Sequence, residues 1–178
     1  MLAPQPIDSY PLRQTLGGVT VAAEPLATKE KTEAAFTVDL TEQGYAPILV
    51  VVGNRSADNI LLLKDNIELV DSRGNVLKPV PAYVMVEKFE HNKIAYAFMG
   101  GLFSYMSAEE ANKKMREDWS SKELPAEKVV MPNRKVHGVV YFHLGPGLAT
   151  LPNATLNILL QNVRSGENHS VNLRIAGR

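Results

Sequence analysis

Histidine is the residue of this chain best suited to bind a metal or to transfer a proton near neutral pH. The chain has four histidines, His91, His137, His143 and His169. His137 and His143 share one face of a predicted strand, but the extended chain between them spans about 20 Å. A zinc ion holds its ligands at about 2 Å, so this pair does not predict a metal site. We therefore predict no metal ligands and interpret the histidines as surface or rim residues.

Other catalytic chemistry has no recognisable arrangement in the sequence. The chain has no cysteine, which excludes disulfides, thiolate zinc ligands and a cysteine nucleophile. The sequence motifs of serine hydrolases, zinc metalloproteases, P-loop enzymes and dinucleotide-binding enzymes are all missing. Because the carboxylates are spread evenly, a hydrolase with a site assembled from distant Asp and Glu residues is the third of three interpretations. We predict no catalytic residues, no cofactor and no enzymatic activity.

The charge balance argues against a nucleic-acid partner. Lys and Arg number 19, Asp and Glu also number 19, and the formal net charge is zero. A nucleic-acid-binding domain would favour a basic face. The longest apolar stretch, residues 94–106, is shorter than the about 20 residues that span a bilayer. Residues 1–6 have neither the basic nor the apolar region of a signal peptide.

Short strand-like runs extend along the whole chain and predict an all-β fold, an antiparallel β-sandwich of eight or nine strands. We predict a flexible leader over residues 1–16 and a single domain over residues 17–178. The run at 33–41 is assigned to a strand because its apolar residues alternate. Pro79 assigns the run at 76–80 to a sheet edge. The remaining predicted strands cover residues 19–23, 45–52, 60–63, 66–70, 129–131, 136–144, 156–163 and 171–175.

Two of these strands are apolar on both faces. In a sandwich the outer face of a sheet is normally polar and exposed to solvent, but residues 45–52 and 136–144 place apolar side chains there as well. Exposing them costs about 25 cal/mol per Å², so a second layer must cover them. We predict that residues 94–119 lie across the outer face of the sheet that holds both strands, and therefore that Val139 and Tyr141 are buried.

The segment that interrupts the strand pattern, residues 82–124, is predicted to be a helical insertion. Ser107 and Glu110 form a capping box at the start of a helix, and Pro125 ends that helix near Leu124. Residues 94–106, which we call the apolar segment, carry small residues at four-residue spacing that permit close backbone approach. Two interpretations are open: the apolar segment packs on its own sheet, which the aggregation risk of an exposed patch favours, or it forms a contact surface.

The second interpretation names a candidate binding site in the insertion. Aromatic residues are enriched both in cores and in protein interfaces, and this part of the chain concentrates them. We predict contact with a protein partner or with a second copy of the chain. The alternative is a small-ligand or lipid-binding module that uses a cleft between the insertion and the sheet. The candidate interface residues are Phe98, Met99, Gly101, Leu102, Phe103, Tyr105, Met106 and Trp119.

Several motifs resemble those of a known family. Residues 48–56, 60–62 and 67–75 are similar to the pattern V-x-V-x-N-x-S … I-x-L-x-D-x-x-G of immunoglobulin-like (telokin-like) domains in bacterial envelope lipoproteins. Residues 131–142 resemble the family's P-G-x-x-x-x-G-x-V-x-F strand, with Asn133 in place of the usual glycine. The resemblance covers roughly residues 18–176 and implies an immunoglobulin-like sandwich.

The same resemblance implies a location. It suggests an exported, lipid-anchored protein that is periplasmic or held at the outer membrane. The signal and the anchor cysteine would then be absent from this sequence, and the domain would lie near a membrane. The family supplies no catalytic residues. The expected function is therefore that of a non-enzymatic cell-envelope domain.

Overall fold

The alternating apolar residues of the predicted strands form two antiparallel sheets in the computed structural model, which describes residues 4–91 and 108–177. Sheet A has the strand order β1–β2–β3–β7, and each neighbouring pair is antiparallel. The predicted sandwich architecture is confirmed, whereas its immunoglobulin-like class stays a prediction. The strands of sheet A are β1 (Leu12–Leu16), β2 (Val19–Pro25), β3 (Tyr45–Asn54) and β7 (Arg134–His143).

Sheet B has the order β5–β4–β8–β9, and β6 pairs with the first part of β4 on the edge that β5 also occupies. At one end of sheet B, Val70 pairs with Thr155, which in turn pairs with Arg174. The strands of sheet B are β4 (Ile60–Val70), β5 (Val76–Leu77), β6 (Glu127–Val130), β8 (Thr155–Asn162) and β9 (Asn168–Arg174).

Helices connect the strands at three places in the described residues. Short 3-10 helices lie at Ile7–Ser9 and Pro146–Leu148. No described helix is both long and apolar enough to cross a membrane. The α-helices are α1 (Lys29–Phe36), α2 (Ala82–His91) and α3 (Ala108–Lys122).

Strand β7 separates two apolar layers because its side chains alternate between the faces of sheet A. Val140 and Phe142 point between the sheets, into a core shared with β3, β4, β8 and β9. Val139 and Tyr141 point to the outer face, into a second apolar cluster shared with all three helices. Both outer residues have zero exposure, as the two-sided apolar pattern predicts.

The predicted strand at 33–41 is wrong, because residues 29–36 form helix α1. The Thr28 hydroxyl caps the helix by accepting a hydrogen bond from the Lys31 N–H at 3.3 Å. Thr32 and Phe36 are buried four residues apart, on one face of the helix. Thr37 then ends it in the left-handed conformation, with φ of 68°. The local cap therefore outweighs the alternation of apolar residues that favoured a strand.

The predicted leader over residues 1–16 is wrong for its second half. Residues 12–16 form β1, which pairs with β2 along its whole length. The side chain of Gln14 also accepts a hydrogen bond from the Asn172 N–H on β9, at 3.0 Å. Strand β1 thus closes the sandwich at the edge where the two sheets meet, so sheet A begins at Leu12.

The two short strands predicted at 60–63 and 66–70 are one strand, β4, with an irregular register between Leu62 and Ile67. The strand predicted at 76–80 is also shorter than expected. Only Val76–Leu77 pairs with β4, whereas the Val80 N–H donates to the carbonyl oxygen of Tyr141 on β7 at 2.8 Å. The chain therefore crosses from sheet B to sheet A at Pro79, where a proline removes one donor from the ladder.

Candidate functional site

The outer face of sheet A is covered by α1, α2 and α3, which we call the helical cover. Helix α1 contributes Phe36, α2 contributes Met85 and Phe89, and α3 contributes Met115 and Trp119. All five side chains are buried. The cover therefore includes both described parts of the predicted insertion together with α1, which the sequence analysis assigned to a strand.

Trp119 lies at the centre of the helical cover. Its ring meets Phe36 edge-on at 6.2 Å between centroids and Phe89 edge-on at 5.2 Å. Its Nε1 donates a hydrogen bond to the carbonyl oxygen of Phe36 at 3.4 Å. Edge-to-face contacts of this kind add to the stabilisation from burial alone. Trp119 thus joins all three helices.

Tyr141 joins the helical cover to the sheet. Its ring packs against Phe36 at 5.8 Å, and its hydroxyl donates to the carbonyl oxygen of Trp119 at 3.2 Å. Burial raises the pKa of Tyr141 above its usual range, and the nearby carboxylates of Glu123 and Asp118 add to the rise. The phenol therefore stays protonated and acts as a structural donor.

Two lysines fix the C-terminal end of α3. Lys64 on β4 pairs with Glu123 at 2.6 Å, and both side chains are about 85% buried. Lys122 donates to the carbonyl oxygen of Ala35 at 2.6 Å and also pairs with Asp118. Because these charges are hydrogen-bonded to one another, they stabilise the position of α3 and leave no isolated carboxylate here.

Of the eight predicted interface residues, only Trp119 belongs to the described part of the chain. It is 1% exposed, so the structure assigns it to packing within the cover rather than to a surface. The other seven, which remain a prediction, are Phe98, Met99, Gly101, Leu102, Phe103, Tyr105 and Met106, and they lie outside the described residues.

His137 and His143 lie six residues apart on β7 and share its outer face, as the sequence predicts. His137 and His143 are exposed on the outer face of β7, and the His143 ring lies 4.8 Å from the buried ring of Tyr45. His169 lies on β9, near Gly17. Within residues 4–91 and 108–177, no three His, Asp or Glu side chains are grouped closely enough to hold a metal ion.

The polar residue of the first family-like motif has a structural role. Asn54 is 1% exposed and uses both ends of its amide. Its Nδ2 donates to the carbonyl oxygens of Asp58 at 2.7 Å and Val130 at 2.8 Å. Its Oδ1 accepts from the Ser56 N–H at 2.9 Å and the Ser56 hydroxyl at 2.7 Å. Asn54 therefore ties the end of β3 to β6 and has no spare donor for a ligand.

The carboxylate of the second motif closes a turn. Asp71 accepts hydrogen bonds from the Asn75 side chain at 3.0 Å and from the backbone N–H groups of Asn75 and Arg73. The Asn75 amide is the main reason that the pKa of Asp71 lies below its usual range. These hydrogen bonds favour the ionised carboxylate over its protonated form, which lowers the pKa. The motif residues thus specify turns and supply no reactive group.

Comparisons with known proteins show bacterial structural neighbours of unknown function. No family model matches the chain, and no curated protein matches it significantly. The yjhA protein of Bacillus subtilis is 13% identical, with a TM-score of 0.45 over 92% of this chain and 97% of that one. The ycdA protein of the same organism, provisionally described as a lipoprotein, is 10% identical, with a TM-score of 0.49 over 93% and 38%.

A DUF4426 family protein from Pseudomonas aeruginosa is 11% identical, with a TM-score of 0.32 over 93% of this chain and 94% of that chain. The chain spans less than half of ycdA but nearly all of yjhA. At these identities and TM-scores, the three likenesses assign neither a family nor a function to the chain.

Proposed function

We propose that this chain is a non-enzymatic, immunoglobulin-like domain of the bacterial cell envelope that contacts a protein partner or a second copy of itself. The contact surface would be the apolar segment, residues 94–106, inserted between α2 and α3. The named contact residues would be those seven of the predicted interface that precede α3.

One observation carries this proposal: the helical cover already buries the outer face of sheet A. Val139 and Tyr141 have zero exposure, and the contacts of Tyr141 with Phe36 and Trp119 are made by α1 and α3. The sheet therefore does not need the apolar segment as its second layer. An apolar stretch that the fold does not require is typical of an interaction site.

A non-enzymatic role is supported by the structural interactions that the polar side chains make. The side chains of Asn54 and Asp71 form hydrogen bonds that hold turns and strand ends. Tyr141 is a buried hydrogen-bond donor, and Lys64 and Glu123 pair with each other. Strongly perturbed groups in a cleft would favour catalysis, but these groups are fully used by the fold. Proximity to a membrane through a lipid anchor belongs to the same proposal and depends on the resemblance alone.

The alternative of a small-ligand or lipid-binding module has less support. It requires a cleft between the insertion and the sheet. In the described part of that interface, Met85, Phe89, Met115 and Trp119 are at most 5% exposed and pack against one another and against sheet A. We therefore favour contact with a protein.

The apolar segment can be tested with one added charge. We expect wild-type protein to form an oligomer in sedimentation velocity and Gly101→Glu to be monomeric, because burying an unpaired carboxylate at an interface is strongly unfavourable. Val163→Glu is the matched control, since Val163 is an apolar sandwich residue that is 52% exposed. This control should assemble like wild type, and equal loss in both variants would contradict the proposal.

A monomeric wild type would rule out self-assembly and leave the partner to be tested. A photo-crosslinking residue at position 103 should then give a defined cross-linked product in intact bacteria, whereas the same residue at position 163 should not. Equal cross-linking from both positions, or none from position 103, would rule out the partner as well.

A further inference from the structure

The outer face of sheet B lies on the side of the sandwich opposite the helical cover. Strands β8 and β9 pair in one continuous register, from Thr155 opposite Arg174 to Gln161 opposite Asn168. Every second side chain therefore points away from the core, in rows about 4.8 Å apart across the strands and about 6.8 Å apart along them. These outward side chains are Thr155, Asn157, Leu159 and Gln161 of β8 and Asn168, Ser170, Asn172 and Arg174 of β9.

Neutral hydrogen-bonding groups dominate these rows. All the outward side chains of β8 and β9 except Leu159 and Arg174 carry an amide or a hydroxyl group. Gln161 donates a weak hydrogen bond to the carbonyl oxygen of Gly166 at 3.5 Å, whereas the other amides and hydroxyls form no side-chain hydrogen bond within residues 4–91 and 108–177. The amide of Asn162, by contrast, is bonded to Asp58. The groups on the outer face therefore remain available to a ligand, which would replace their water.

An aliphatic strip borders the polar rows. Leu61 of β4 pairs with Gln161, so its side chain lies on the same outer face as that of Leu159. Both leucines are half-buried, and all four outward side chains of β9 are exposed. Neither apolar cluster of the described residues includes a side chain from this face. The face thus offers hydrogen-bonding groups beside a limited apolar surface.

The chemistry of this face selects among classes of partner. A nucleic acid or another polyanion requires several cations, and Arg174 is the only outward cation on β8 and β9. The centre of a protein interface is usually apolar or aromatic, whereas these two strands contribute only Leu159. An uncharged chain of hydroxyl groups fits better, because each side-chain amide can both donate and accept hydrogen bonds.

We propose that the outer face of β8 and β9 binds a neutral polysaccharide, a linear chain of uncharged hexose or N-acetylhexosamine units. Asn157 and Asn172, which stand opposite each other, would bind sugar hydroxyl or N-acetyl groups. Leu61 and Leu159 would contact the apolar C–H faces of the sugar rings. This site does not use the apolar segment, so its outcome is independent of the proposed protein contact.

The site is tested by titrating the full chain with chitotetraose and, separately, with cellotetraose, while NMR follows the side-chain amide signals. Saturable shifts are expected for Asn157, Asn168 and Asn172 with at least one sugar, and the sugar that binds tells N-acetylhexosamine from plain hexose. Asn157→Ala/Asn172→Ala should bind that sugar about tenfold more weakly, since it loses two hydrogen-bonding groups. Shifts that never saturate with either sugar, or that are spread evenly over the surface, would overturn the proposal.

A matched control removes two neutral polar side chains from the opposite side of the sandwich. Asn112→Ala/Ser120→Ala changes two residues of α3, which belongs to the helical cover. This variant should bind the sugar as tightly as wild type, and equal weakening in both double variants would overturn the proposal. The positions of the wild-type shifts test the site even if Asn157→Ala/Asn172→Ala does not fold.

A charged sugar provides the second comparison. A heparin tetrasaccharide has a similar length but carries many negative charges, and the face has one cation to attract it. It should bind more weakly than the neutral sugar. Tighter binding of heparin at the same residues would show a site that selects charge and would overturn the proposal, whatever the oligomeric state of the chain.

Discussion

Replacing Gly138 by alanine should lower the free energy of unfolding by about 3 kcal/mol, because the added methyl group has no room. A Cβ built on Gly138 would lie 2.5 Å from Cα and 2.7 Å from the backbone nitrogen of Leu124. That nitrogen donates to the carbonyl oxygen of Val139 at 2.9 Å. The chain leaving α3 must therefore move away from β7 to admit the methyl group, and this hydrogen bond is lost.

Thermal unfolding measures this effect, and the expected drop in Tm is about 6–12 °C for a chain of this size. Gly53→Ala is the matched control, since Gly53 is also a strand glycine on the neighbouring strand. The nearest contact of its new Cβ is the flexible end of Ile7 at 3.1 Å, so its Tm should change little. Equal stability of Gly138→Ala and wild type would contradict the close approach of Leu124 to β7.

Replacing Trp119 by alanine should cost about 3–5 kcal/mol, the usual range for a large aromatic residue removed from a core. The change removes the edge-on contacts with Phe36 and Phe89 and the hydrogen bond to the Phe36 carbonyl oxygen. Because these contacts join α1, α2 and α3, we expect the helices to lose protection from hydrogen exchange before the strands do.

Chemical denaturation should show the lower stability of Trp119→Ala as a lower denaturation midpoint. Tyr83→Ala is the control in the same helical cover. Tyr83 lies on α2 but is 58% exposed, so its removal should change stability by well under 1 kcal/mol. Trp119→Phe should fall between the two, since it keeps an aromatic ring but not the donor. A Trp119→Ala protein as stable as Tyr83→Ala would place Trp119 outside the core.

The sandwich and its outer layer could be predicted because each buried face of a strand carries apolar residues at every second position of the sequence. Strands β3 and β7 carry apolar residues at both alternating positions, which requires cover on both faces. The zero exposure of Val139 and Tyr141 confirms that inference. Helix α3 is predicted from its capping box and from the proline that follows it, which are local signals.

The two errors have different causes. In residues 33–41, apolar residues alternate, but the Thr28 cap and the left-handed Thr37 decide for a helix. Residues 12–16 form an edge strand with a half-exposed pattern, which composition does not distinguish from a loose leader. The helix is decided by its own capping residues, whereas β1 depends on its pairing with β2.

The candidate sites were predicted only in part. The apolar segment is visible in the sequence because its composition differs from that of the strands. The contribution of α1 to the helical cover is not, because the alternation of apolar residues at 33–41 predicts a strand there, whereas residues 29–36 form a helix.

The central claim is that the helical cover completes the fold and leaves the apolar segment for contact. The most direct measurement replaces residues 92–107 by a flexible Gly/Ser sequence of equal length and compares the thermal unfolding of this variant with that of wild type. The account predicts a cooperative transition with nearly the same Tm at a concentration where wild type is monomeric. Loss of the cooperative transition would contradict it, because the apolar segment would then be part of the core.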